Sequence, residues 1–108
     1  MSDAILVFMT AASADEARRI ADHVIELSLA ACVQILPEIE SIYRWKGKVQ
    51  HEKEVLVLAK TTATQFDALE EAVRAIHSYE VPEIIGVPMA SVSEPYLGWL
   101  LSNVSADV

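Results

Sequence analysis

The sequence has one cysteine, Cys32, in 108 residues, so an intrachain disulfide is excluded and a reducing compartment is the expected setting. It has no surplus of positive charge: eight Lys and Arg face sixteen Asp and Glu, a formal net charge of −8. A pI near 4.7 argues against nucleic acid or an anionic membrane as partner, since both need a concentrated basic patch. No apolar run approaches the roughly 18 residues that span a bilayer. The start, Met1-Ser2-Asp3, lacks a basic region, a long apolar stretch and a small-residue cleavage site, so no signal peptide is expected and the protein reads as soluble and cytoplasmic. Linkers, repeats and low-complexity stretches are missing too. So are the common catalytic signatures: no GxGxxG, P-loop, HExxH, GxSxG or CxxC occurs.

What is there is apolar. Hydrophobic residues make up 53% and charged ones 22%, which excludes intrinsic disorder. The length fits one domain over residues 1–108. So high an apolar content in a small domain with much surface points to a face covered by a partner.

Ala4 to Met9 is a continuous apolar run, the pattern of a central strand buried on both faces. Ser13 with Glu16 three residues on is a capping-box pattern. Apolar residues then recur at Ala17, Ile20, Ala21, Val24, Leu27 and Ala31, the stripe of an amphipathic helix, with Glu16, Arg19, His23 and Glu26 on the opposite, solvated face. Cys32 to Leu36 reads as a strand, Pro37 as a bend or bulge, and Ile39 to Trp45 as its continuation. Lys46-Gly47-Lys48 makes a tight turn into a return strand, Val49 to Thr61. Thr62 or Thr64 caps a second helix with the stripe Phe66, Leu69, Val73 and Ile76, stopping at His77-Ser78 before Pro82. Ile84 to Val92 is a last strand that Pro88 demotes to an edge or breaks, and Pro95 opens a short terminal helix. The order β-α-β-β-α-β is the split βαβ arrangement of a ferredoxin-like α+β sandwich, with two helices on one sheet face and the other face left apolar.

The hairpin is long. Thirteen residues at about 3.3 Å each reach roughly 43 Å, whereas a domain of this size has a diameter of roughly 34 Å. Its tip, with Tyr43, Trp45 and Val49, is expected to project and to find shelter on another subunit, because a two-stranded ribbon alone is marginal in water. The alternative is a hairpin bent at Pro37 back onto its own core.

Among residues that carry chemistry, Cys32 is either plain core or a soft-metal contact. His23 and His51 read as surface residues. His77 opens His77-Ser78-Tyr79-Glu80-Val81-Pro82-Glu83. Its imidazole either sits favourably at the negative helix end or acts as a ligand or proton-handling group.

Five segments resemble, in order, the CutA family of divalent-cation tolerance proteins: Leu29–Val33, Ile42–Val49, Glu54–Thr61, His77–Glu83 and Tyr96–Leu100. Together they cover nearly the whole chain, from Ile5 to about Ser102. The resemblance implies a ferredoxin-like subunit in a tight homotrimer joined through the long hairpins, similar in architecture to the trimeric PII signalling proteins. It also implies binding of copper or another divalent cation. The family's implied copper ligands, a first-strand Cys and a His pair, correspond here to Met9 and to Ile76-His77. His77, Met9, Cys32 and Glu83 are therefore the candidate metal ligands, thioether suiting Cu(I) and imidazole either oxidation state.

Three functions follow as expectations. The first is a cytoplasmic homotrimer binding a divalent metal. The second is a PII-like module holding a small anionic ligand between subunits, with Lys60, Arg44, Tyr79 and Trp45 for charge pairing and stacking. The third is a structural trimer with no ligand. Tyr43, Trp45, Val49 and Trp99 are the expected trimer contacts, since aromatic anchors favour a sealing role. An enzyme is the class the residues fit least, because carboxylates beside a Pro turn are usually solvated.

Overall fold

The apolar run beginning at Ala4 forms strand β1 (Ala4–Ala11), buried along most of its length between two neighbours. A computed structural model describes residues 3–105; the Met1-Ser2 start, and with it the reading of the N-terminus, lies outside the described residues. Helix α1 (Ala14–Glu26) follows, then strands β2 (Cys32–Trp45) and β3 (Lys48–Thr62). A 3-10 turn (Ala63–Gln65) leads into helix α2 (Phe66–Ile76), strand β4 (Ile84–Pro88) and helix α3 (Glu94–Ser102). The sheet runs β2-β3-β1-β4 with every pair antiparallel. This is the ferredoxin-like α+β architecture.

One face of the sheet holds the core. Ile5, Val7, Met9 and Ala11 of β1 and Val55, Val57 and Ala59 of β3 meet Ala17, Ile20 and Val24 of α1 and Leu69 and Val73 of α2. Because side chains alternate along a strand, the residues between these point the other way. On that second face α3 covers only one end, through Leu100 and Val104 against Ala4. Leu36, Ile85 and Val87 are left 42%, 51% and 41% exposed.

Helix α1 begins as its capping pattern predicts, with the Ser13 hydroxyl accepting from the Glu16 amide at 3.1 Å. It stops at Glu26 and not Ala31, because Ser28 turns left-handed at φ 57°. The Leu29 amide then donates to Val24 O and the Ser28 amide to Ile25 O. Those two bonds are a Schellman motif. It turns the chain so that Ala30 and Ala31 lead into β2, and leaves Leu29 buried in the same core as Val24.

The β2-β3 register slips between Leu36 and Ile39, so Pro37 does mark a bulge. The two strands meet in a two-residue turn, Lys46 at φ 51° and Gly47 at φ 82°, the positive pair a type I′ hairpin needs. The hairpin is not folded back: the molecule measures 44 × 26 × 22 Å, and the tip exposes Ile42 (61%), Tyr43 (41%), Trp45 (43%) and Val49 (55%).

Two other expectations are corrected. Neither Thr62 nor Thr64 caps α2 with its side chain; the Thr64 hydroxyl donates instead to Asp3 Oδ2 at 2.9 Å. The last strand is five residues long. Pro88, opposite Ile5, has no amide for the ladder, and after Met89 N bonds Ala4 O the chain leaves the edge.

Candidate functional site

The site lies where the hairpin leaves the body. Thr10 faces Leu56 across the sheet, and Glu54, Glu52, Tyr43 and Trp45 continue the same face outward along the hairpin. The loop from α2 to β4, Tyr79 to Glu83, closes the other side. Between them is a cleft of about 510 Å³.

Its charge is lopsided. Glu52, Glu54, Glu80 and Glu83 line it, with Lys53 the one cationic side chain among the described lining residues, and Lys53 Nζ is 3.9 Å from Glu38 Oε2 outside. Glu54 is buried, and the Tyr79 hydroxyl donates to its Oε2 at 2.6 Å. Burial first, then the bond to Glu54 and its charge, push the Tyr79 phenol far above its ordinary value. Loss of water and then the Glu54 charge push Glu83 up, although the residue as a whole is exposed. Loss of water, then Glu52 and Glu54, push the Tyr43 phenol up as well. The causes all three share are loss of water first and the Glu54 charge after it.

Behind the loop sits a buried pair. The His77 side chain is fully buried. Its Nε2 is 2.8 Å from Thr10 O, and its Nδ1 lies 3.0 Å from the Tyr79 amide, which donates to it. A carbonyl can only accept, so Nε2 carries the proton and Nδ1 the lone pair. Glu16, placed on the solvated face by helical periodicity, is in fact buried. Its Oε1 accepts from the Ala12 amide at 2.9 Å and its Oε2 from the Ser78 amide at 2.7 Å. Burial alone would raise the Glu16 pKa. The amides of Ala12 and Ser78 and the Ser78 hydroxyl outweigh it and hold the carboxyl below its ordinary value.

The four candidate metal ligands are not brought together. Met9 is fully buried in the core on the helix side of the sheet, the face opposite to Thr10. Cys32 stands level with Lys60 and Leu6, four residues or about 13 Å along the strands from Thr10. Both His77 nitrogens are occupied. Glu83 alone reaches the cleft. Among the described residues no group of three or more His, Cys, Asp or Glu is poised to hold a metal ion. A soft copper site built from this set does not fit.

The candidate anion-binding residues are divided as well. Tyr79 and Trp45 line the cleft, but Arg44 donates to Gly47 O at the tip at 3.2 Å, and Lys60 Nζ stands 5.4 Å from the Tyr96 ring at the far end of the sheet. Trp99 lies on α3 beside Tyr96, away from the cleft, and is 45% exposed. Glu16 and, in the cleft lining, Glu52, Glu54 and Glu80 are members that the sequence candidates left out. Glu54 had a signal: it ends the polar half of β3 just where the strand turns apolar.

The family model described as CutA1 divalent ion tolerance protein matches residues 5–103. The chain is 47% identical over 98 residues to the divalent-cation tolerance protein CutA of Thermus thermophilus, covering 91% of this chain and 95% of that protein. It is 41% identical over 99 residues to the chloroplastic protein CutA of Arabidopsis thaliana, covering 92% of this chain and 54% of that protein, so it spans about half of that relative. The solved structure of the divalent cation tolerance protein from Thermus thermophilus superposes with a TM-score of 0.92 at 45% identity, covering 94% of this chain and 99% of that one.

Proposed function

This chain belongs to the CutA1 divalent ion tolerance family, and from that premise we propose that it serves divalent-cation tolerance as a non-enzymatic homotrimer that takes the cation at the carboxylate cleft. The observation that carries this reading is the cleft lining, four glutamates against one lysine that is drawn outward to Glu38. A cavity of that charge concentrates cations and repels the small anion of the PII-like alternative. Glu54 and Glu83 are its oxygen donors. Two carboxylates suit an ion that keeps several of its waters, and at such a site Cu²⁺ is favoured over the other first-row divalent ions.

The assembly has its own support. The second sheet face leaves Leu36, Ile85 and Val87 uncovered, and the hairpin carries Tyr43, Trp45 and Val49 in the open. A second and third copy would cover both, and the cleft lies next to that surface. The cytoplasm is the proposed location, although two relatives are named for the chloroplast. The non-enzymatic reading is supported by Tyr79, whose phenol is bonded to Glu54 and held protonated, a poor donor in acid–base work.

Calorimetric titration with Cu²⁺ and Zn²⁺ tests the cation reading. The wild-type protein binds, and Glu83→Gln weakens binding by at least tenfold. Equal affinity of the two proteins for both ions would overturn it, and no binding at all would leave the ligand-free structural trimer.

A further inference from the structure

Among the described residues, His77 and Glu16 are the two buried ionisable side chains outside the proposed ligand set. They are joined to one short stretch of chain. The Glu16 carboxylate grips the Ala12 amide at the end of β1 and the Ser78 amide at the start of the α2-β4 loop. The His77 imidazole grips Thr10 O, also at the end of β1, and the Tyr79 amide, the next residue of the same loop. The two groups lie 3.8 Å apart (His77 Nδ1 to Glu16 Oε2), beyond hydrogen-bond length. Each is therefore spent on the backbone and not on the other. Across the loop, the Tyr79 ring tilts against His77 with centroids 4.8 Å apart, and its hydroxyl ends on Glu54 in the cleft.

We infer that Glu16 and His77 are positioning residues of the cleft. A buried carboxylate and a neutral imidazole hang the α2-β4 loop on the end of β1, so that Tyr79 meets Glu54 and Glu83 faces it. Among the described residues no other side chain grips these two amides. Without the pair the Ser78 and Tyr79 N–H groups, both half-buried, would lose their acceptors and be left to water. Metal sites depend on such supporting bonds nearly as much as on the ligands themselves. The inference rests on the cleft being the site proposed above, and it assigns His77 to the support of that site and not to its ligand set.

The test uses the full chain labelled with ¹⁵N. Long-range proton–nitrogen spectra of the His77 ring should show the Nε2–H tautomer, unchanged by saturating Zn²⁺, an ion that takes imidazole readily when one is free. In His77→Phe and in Glu16→Asp, which keeps the charge but shortens the reach, the Ser78 and Tyr79 amides should exchange at least tenfold faster while β1 and β3 amides hold their rates. Zn²⁺ affinity should fall about tenfold in both. His77→Gln, whose amide offers an NH₂ to donate and a carbonyl to accept, should recover part of each loss. A Zn²⁺-induced shift of a His77 nitrogen overturns the inference, as does a uniform rise in exchange over the whole sheet. Faster exchange confined to the loop in the variants, together with a wild-type protein that binds no Zn²⁺, would sink the cleft reading and leave the anchoring of the loop intact. Should both variants fail to fold, the wild-type tautomer with and without Zn²⁺ still decides.

Discussion

Removing the Tyr79 hydroxyl isolates one bond in the cleft. Tyr79→Phe keeps the ring against His77 and deletes only the donor that meets Glu54 Oε2 at 2.6 Å. Glu54 is 8% exposed, so water replaces the lost donor poorly. A hydrogen bond to a charged group contributes about 1.5–3 kcal/mol, and the unsatisfied acceptor adds to the cost of losing it. Tyr79→Phe should therefore destabilise the protein by about 2 kcal/mol. Glu54→Gln, which keeps an acceptor oxygen without the charge, should cost less and remove the charge that, after loss of water, raises Glu83. Urea unfolding of both single variants and the double variant, at one fixed protein concentration, gives the coupling. A value of about 1–2 kcal/mol is expected. A coupling below about 0.3 kcal/mol, within the additivity of independent sites, would refute the claim that this bond holds the cleft together.

Ser28 occupies the left-handed position of a Schellman motif at φ 57°. Ser28→Gly should raise stability by about 1 kcal/mol in thermal or urea unfolding, because glycine adopts that backbone without a Cβ penalty. Gly47→Ala should lower stability by about 1 kcal/mol, again by unfolding; a Cβ there meets nothing within 4 Å, so the cost is the φ of 82° alone. The folded-state pKa of Glu16 lies below its unfolded value. Its contribution is therefore present above the unfolded carboxylate range near 4.5 and is lost as pH falls through the folded pKa. Unfolding measured from neutral pH into that acid range should show a shallower decline in Glu16→Gln than in wild type.

Much of the fold could be read in the residues because several signals agreed. The unbroken apolar run at Ala4, the Ser13 cap and the stripe from Ala17 to Val24 each point to one element, and Pro37 and Gly47 punctuate the hairpin where the register slips and turns. The end of α1 was harder, since Leu27 and Ala31 keep helical spacing and Ser28 is not the glycine that announces a left-handed stop. The cleft was legible in part. Tyr79, Glu83, Tyr43 and Trp45 stand out by type, but Glu16 does not. Helical periodicity places it toward water, and only the loop folding across the first turn of α1 buries it. His77 illustrates the converse. Its residue type suggests a ligand, while its two hydrogen bonds, made 67 and 2 residues away in the chain, give it another use.

Sedimentation equilibrium at micromolar concentration tests the assembly on which the proposed function depends. A single species of about 36 kDa, three times the 11.9 kDa chain, is the predicted result, with the open sheet face and the hairpins covered by sister copies. A folded species of 11.9 kDa with a cooperative unfolding transition would contradict it.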